Sequence, residues 1–159
     1  MKRSIRFSLL ALCLCLLLPL LAGCSGNASS DTSTDDIPFD VEIKEKLFLT
    51  QMNDIFANKE DYMGKTIKYE GMFFSAYYEP ADSNFNVVIR YGPGCCVGDG
   101  TVGLEVRWED DSIQTPEADD WVEVIGVLEE YEELGATYLR LNLSSLKVLD
   151  KRGAETVAQ

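Results

Sequence analysis

The sequence lacks histidine altogether and has little cysteine outside its N-terminal segment. Without histidine there can be no Ser-His-Asp or Cys-His catalysis and no histidine-ligated zinc. Beyond the N-terminal segment only Cys95 and Cys96 occur, so the mature chain has no disulfide framework. A Cys-x-x-Cys motif, typical of thioredoxin-like enzymes, is also missing. These absences predict a protein that is not an enzyme.

Basic residues are scarce as well. The chain has 14 Lys and Arg against 27 Asp and Glu, which gives a net charge of −13 at pH 7. Such a surface repels phosphate backbones, so nucleic acid is not an expected partner. The acidic runs at 109–111, 117–120 and 129–133 are interpreted as solvated loops.

The N-terminal segment has the pattern of a signal peptide. Three basic residues precede an apolar run over 7–18, and Leu21-Ala22-Gly23-Cys24 follows. This run is shorter than the roughly 20 residues that a membrane-spanning helix needs. The four residues resemble the lipobox of bacterial lipoproteins, which implies cleavage before Cys24 and a diacylglycerol on its thiol. Because several acyl chains on one cysteine anchor a protein stably, we expect a lipid-anchored protein on the extracytoplasmic side of a membrane.

Composition predicts four regions in the chain. A signal peptide covers 1–23, and a flexible tether covers 24–40. Most of this tether has no large apolar residues. The folded domain covers 41–150, and a disordered tail covers 151–159. The domain has the ordinary size of a single small core.

The folded domain shows one helical pattern followed by strand patterns. Met52, Ile55 and Phe56 share one face of a helix predicted over 50–58. From Lys65 onward, apolar residues alternate with a period of two. Five strands are predicted, at about 65–78, 85–91, 102–108, 121–128 and 136–149, the last with a kink at Ser144-Ser145.

This pattern predicts a mainly β fold, a small OB-like five-stranded barrel with a short N-terminal helix. Gly71, Gly103 and Gly126 fit the sharp bends of barrel corners. A β-sandwich is the alternative. Tyr77-Tyr78 and Trp108 are candidates to line a groove, although aromatic residues in strands are usually core or cross-strand pairs.

The strongest candidate site is the loop Tyr91–Gly100, with the sequence Tyr-Gly-Pro-Gly-Cys-Cys-Val-Gly-Asp-Gly. Its glycines and proline cannot propagate a helix or strand, so a tight loop between two strands is expected. The loop brings together two thiols, Cys95 and Cys96, and the carboxylate of Asp99.

Several parts of the chain resemble one protein family. They are Asp54-Ile55-Phe56, Tyr62–Ile67, Glu70–Phe73, Arg90, the Cys-Cys-x-x-Asp run at 95–99, and Trp121-Val122 with Gly126. The chain resembles the YcgQ-like family, whose members are described as soluble-domain partners of a two-component permease. The resemblance spans about 41–149. It implies a site at Cys95, Cys96 and Asp99 and a role accessory to a membrane permease.

Three interpretations of the cysteine pair remain open. The first is an exchangeable site for a thiophilic metal, zinc or copper(I), with Cys95, Cys96 and Asp99 as ligands and water, Glu105, another acid or a partner as the fourth. The second is a redox switch through a vicinal disulfide, which is strained because adjacent Cα atoms lie only about 3.8 Å apart. The third is two thiols that merely fill space.

Overall fold

A computed structural model describes residues 37–93 and 100–157 of the chain. All of them belong to one unit, Ser33–Gln159. The predicted signal peptide, Cys24 and most of the predicted tether lie outside the described residues. Within the described part, none of the helices is long and apolar enough to cross a membrane.

Six strands form one sheet, and five of them close it into a barrel. The strands are β1 Val41–Glu42, β2 Thr66–Tyr78, β3 Ser83–Tyr91, β4 Thr101–Arg107, β5 Trp121–Glu133 and β6 Ala136–Val148. Around the barrel the order is β2-β3-β4-β6-β5, and β5 pairs again with β2. Neighbours in the barrel are antiparallel except β4 and β6, which are parallel. This is the Greek-key connectivity of an OB barrel. The predicted barrel is confirmed, and the sandwich alternative is wrong.

One short α-helix precedes the barrel strands, as predicted. Helix α1 spans Phe48–Ala57, and its buried residues include Phe48, Met52 and Ile55. They recur every three or four positions and therefore lie on one side of the helix. They belong to the same buried cluster as the inward-facing strand residues. Phe56, predicted on this face, is instead half exposed.

Tyr69 lies at the centre of the barrel core. Its hydroxyl donates to the carbonyl of Val88 at 2.9 Å and accepts from the N–H of Leu104 at 3.3 Å. Complete burial raises the pKa of this phenol. The hydroxyl therefore bridges β3 and β4 from inside the barrel, and it satisfies groups that would be costly to bury alone.

Close backbone contacts explain two of the predicted corner glycines. A Cβ at Gly103 would lie 2.1 Å from the carbonyl oxygen of Val88, and one at Gly126 would lie 2.7 Å from that of Asn142. Gly126 also borders the irregularity at which Ile125 faces Ser145 while Gly126 faces Leu143. The extra residue of this bulge coincides with the kink predicted at Ser144-Ser145.

The acidic segment 129–133 is not the solvated loop that the sequence predicts. β5 continues to Glu133, and Tyr131 faces Tyr138 across the β5–β6 hairpin. Leu134 and Gly135 have φ values of 52° and 80°, which are typical of a type I′ hairpin turn. The glutamates of this segment therefore occupy strand positions.

Residues 151–157 differ from the disordered tail predicted for 151–159. The guanidinium of Arg152 contacts both carboxylate oxygens of Asp119 at 3.1 Å. Thr156 forms a parallel bridge with Tyr91, and Val157 is only 4% exposed, within the core cluster. A buried valine and backbone pairing hold this segment, so the folded domain extends past the predicted boundary at 150.

Candidate functional site

The cysteine loop joins β3 to β4. Cys95, Cys96 and Asp99 lie outside the described residues, but both ends of their loop are defined. Tyr91 faces Thr101 in the β3–β4 ladder, and the N–H of Gly92 donates to the carbonyl of Gly100 at 2.9 Å. The loop is therefore the tip of a β-hairpin, in agreement with the predicted loop between two strands.

The C-terminal segment borders the base of this loop. The N–H of Tyr91 donates to the carbonyl of Glu155 at 2.8 Å, and the carbonyl of Tyr91 accepts from the N–H of Val157 at 2.9 Å. Both backbone groups of the last β3 residue are thus bonded to the C-terminal segment. This pairing fixes the position at which the cysteine loop leaves the barrel.

Arg90, which directly precedes the loop base, is the most deeply buried charge among the described residues. Its side chain is on β3 and only 1% of the residue is exposed. The guanidinium carbon lies 4.7 Å from the ring centre of Phe48 and 4.8 Å from that of Trp121. A cation between two aromatic rings gains cation–π attraction that is stronger when water is excluded.

Hydrogen bonds connect this guanidinium to two distant parts of the chain. Its Nε donates to the carbonyl of Glu70 on β2 at 2.9 Å, and its Nη1 donates to the carbonyl of Ala154 at 3.2 Å. Glu45 lies 3.6 Å from the same Nη1, and its Oε2 also accepts from the N–H of Ala154 at 2.9 Å. Arg90 therefore joins β2, β3 and the C-terminal segment below the cysteine loop.

Burial lowers the pKa of Arg90, while Glu45 and Glu70 partly counteract this effect. An arginine remains charged at neutral pH because its ordinary pKa lies far above 7. The side chain of Glu70 faces the same cluster, since its Oε2 accepts from the indole N–H of Trp121 at 3.1 Å. The local arrangement is thus a buried cation with aromatic and acidic neighbours, and its contacts serve to hold chain segments together.

A family comparison covers both the barrel and the loop. The model of the DUF1980 C-terminal domain matches residues 28–156. The chain belongs to this family. Because the family is associated with YcgQ-like proteins, the resemblance seen in the sequence is confirmed at this level. No curated protein matches the chain.

The DUF1980 domain match includes the loop at 94–99, but it does not test the roles of Cys95, Cys96 and Asp99. Among residues 37–93 and 100–157, no group of three or more His, Cys, Asp or Glu side chains is placed to hold a metal ion. The metal site and the lipid anchor remain predictions from the sequence.

Glu105, which the sequence suggested as one possible fourth ligand, lies on β4. It faces Arg140 on β6, and its Oε2 accepts a hydrogen bond from the hydroxyl of Tyr131. It lies four positions after Thr101, which is roughly 13 Å along a strand. Burial raises the pKa of Glu105, and the bond from Tyr131 offsets part of that rise. Glu105 therefore belongs to a patch of the barrel surface that includes Tyr131 and Arg140.

That surface carries aromatic residues that the sequence interpretation assigned elsewhere. Tyr131 lies in the predicted acidic loop 129–133, although its alternation with Glu130 and Glu132 and the following Leu134-Gly135 turn are hairpin signals. Tyr77 and Tyr78 do line a cleft. Trp108, the other groove candidate, packs partly buried against the core, with its ring centre 6.3 Å from that of Phe73.

Proposed function

We propose that this DUF1980 domain is a non-enzymatic binding module that handles a thiophilic metal, zinc or copper(I), at the outer face of a membrane. Cys95, Cys96 and Asp99 are the proposed ligands. Thiolates suit both metals, and an oxygen ligand from Asp99 suits zinc. Three protein ligands leave at least one position open, which favours exchange of the metal over a purely structural site.

The observation that carries this proposal is the closure of the loop base. The Gly92–Gly100 hydrogen bond and the pairing of Tyr91 on both edges hold the two ends of the loop together. A segment with fixed ends has fewer conformations to lose when its side chains converge on one ion. The rigid base therefore supports metal binding by the short segment between the two glycines.

The location of the protein is part of the proposal. A lipid on Cys24 would hold the domain at the extracytoplasmic surface, where an accessory role beside a permease is proposed. We expect Cys24→Ala to abolish lipid attachment and to leave an uncleaved or mislocalised protein. Normal processing and detergent partitioning of this variant would contradict the anchor.

The metal site is tested by measuring metal content and free thiols on the same sample of the mature chain. The reduced protein should bind about one zinc or copper(I) ion per chain or per dimer and should release protons, because thiols ionise on coordination. Cys95→Ser and Cys96→Ser should each abolish binding, and Asp99→Asn should weaken it. Asp111→Asn, an exposed acid on another loop, is the matched control and should bind normally.

The same experiment separates the metal site from a redox switch. A vicinal disulfide predicts no metal in the reduced protein and loss of both thiols under mild oxidation without dimer formation. Stoichiometric metal that persists in the Cys95→Ser/Cys96→Ser double variant would exclude both functions for the loop.

A further inference from the structure

A second cleft lies between two hairpins, away from the cysteine loop. β2 pairs with β5 only over Thr66–Met72 and Trp121–Val127. The far half of β2 pairs with β3 alone, and the far half of β5 pairs only with β6. Between these two hairpin arms is a cleft of about 260 Å³. Its position, near the turns of the first and last barrel hairpins, is where OB barrels commonly contact ligands.

Aromatic rings form most of the cleft wall. The aromatic residues are Tyr77, Tyr78, Phe85, Tyr131 and Tyr138. Four of them are exposed, by 41% for Tyr78 and Phe85, 45% for Tyr138 and 63% for Tyr77. The rings of Tyr131 and Tyr138 are 5.6 Å apart. Single exposed rings are ordinary, but several gathered around one concave surface indicate a binding site.

The surroundings of the cleft are acidic. Glu133 lines the cleft itself, and Asp82 accepts from the hydroxyl of Tyr77 at 2.5 Å. The two nearby basic side chains already have acidic partners: Lys59 contacts Glu130, and Arg140 contacts Glu129. The cleft therefore offers the carboxylate of Glu133, and the basic side chains beside it are already paired, on a chain whose net charge is −13.

The protein already places one cation on this aromatic surface. The guanidinium carbon of Arg140 lies 4.4 Å from the ring centre of Tyr131. This contact occupies a ring of the cleft wall at a distance typical of a cation–π interaction. The four other aromatic residues of the cleft are exposed.

We propose that the cleft between the two hairpins binds a small organic cation, a quaternary ammonium group carried by a soluble molecule. Ring faces attract such a cation, which is too bulky and too weakly hydrated to need close hydrogen bonds. Glu133 supplies the opposite charge. Phosphates and carboxylates are repelled by the same acidic surface. This site is independent of the metal loop.

The test is a calorimetric titration of the purified full chain with choline and with 3,3-dimethylbutan-1-ol, its uncharged isostere. Choline should bind saturably with roughly millimolar affinity or tighter. The isostere has the same shape as choline but no charge. If it binds at least tenfold more weakly than choline, the positive charge is responsible for the difference in affinity. Equal binding of both compounds, or no saturable choline binding, would overturn the proposal.

Variants then locate the site. Tyr77→Ala and Tyr138→Ala should each weaken choline binding roughly two- to fivefold, whereas Tyr138→Phe should retain it. Glu133→Gln should weaken it roughly fivefold in an exposed setting. Phe39→Ala, which removes an exposed ring outside the cleft, is the control. Choline binding unaffected by all cleft variants would refute this site.

A neutral oligosaccharide is the competing occupant, because sugars also stack on tyrosine. Chitotriose titrated in parallel should give the same binding heat with the wild-type protein and with Tyr138→Ala. If chitotriose binds more tightly than choline and Tyr138→Ala abolishes that binding, the cleft is a carbohydrate site and the cation proposal is wrong. Metal content measured on the same variants should stay unchanged, which separates this site from the cysteine loop.

Discussion

Replacing Arg90 by methionine tests whether the buried guanidinium holds the domain together. Methionine is unbranched and similar in length, so it can fill the space between Phe48 and Trp121 without the charge. The substitution removes the donors to the carbonyls of Glu70 and Ala154. Glu45, which is 53% exposed, can return to solvent and should add little to the cost.

The magnitude follows from these contacts. Each lost hydrogen bond from the charged guanidinium costs about 1–3 kcal/mol, with Ala154 at the lower end because that residue is exposed. The lost cation–π contact costs about 2 kcal/mol. The substitution also removes the free-energy cost of burying the arginine charge, which offsets part of this loss of stability. We therefore expect Arg90→Met to lower the free energy of unfolding by about 2–4 kcal/mol, a large share of the stability of a typical domain.

Urea unfolding followed by tryptophan fluorescence measures this change. Arg107→Met is the matched control, because Arg107 lies on the neighbouring strand, is 52% exposed and pairs with Glu109. Its effect should stay below about 0.5 kcal/mol. Hydrogen exchange adds a local readout, since the amide of Val157 should lose protection in Arg90→Met. Equal stability of the two variants, with Val157 still protected, would refute the reasoning.

Two further predictions concern the C-terminal segment and Glu105. Ending the chain at Asp150 should cost about 2–3 kcal/mol because it exposes the site of buried Val157, whereas removing only 158–159 should cost nothing measurable by the same urea assay. Glu105→Gln should stabilise the domain at pH 7, and this difference should disappear toward pH 4. Burial raises the pKa of the Glu105 carboxyl in the folded state. The stability of the wild-type protein therefore falls as pH rises through the titration of this group, whereas glutamine does not titrate. A constant difference between the two proteins at all pH values would exclude this explanation.

Periodicity in the sequence was sufficient to predict the barrel. The alternation of Ile67, Tyr69 and Phe73 puts one side of β2 in the core, and the structure buries these three residues. The loop predicted over the acidic residues 129–133 is wrong. Their high charge indicates a solvated loop, whereas the alternation of Tyr131 with its glutamate neighbours indicates the strand that the structure shows. Strand positions on an outer hairpin arm tolerate glutamate, since only one face needs to be apolar.

Tertiary contacts explain what the sequence could not predict. Arg90 looks like an ordinary outward strand residue, because nothing nearby in the sequence shows that Phe48 and Trp121 will enclose it. Val157 is a single apolar residue in a polar segment, and its burial depends on the groove beside Tyr91. The cleft needs two hairpin arms that are distant in sequence. Such features depend on the assembled barrel and leave no local periodic signal.

The bond between Glu45 and Ala154 has a consequence for how the protein folds. These residues are 109 positions apart in the chain. A chain made from its N-terminus has Glu45 and Arg90 long before Ala154 is available. Ala154 follows Arg90 by 64 positions, so the buried arginine receives this partner only after β4, β5 and β6 have been made. Contacts so distant in sequence also slow folding. A chain that stops before Ala154 therefore leaves the guanidinium without one of its acceptors and has a less stable native state.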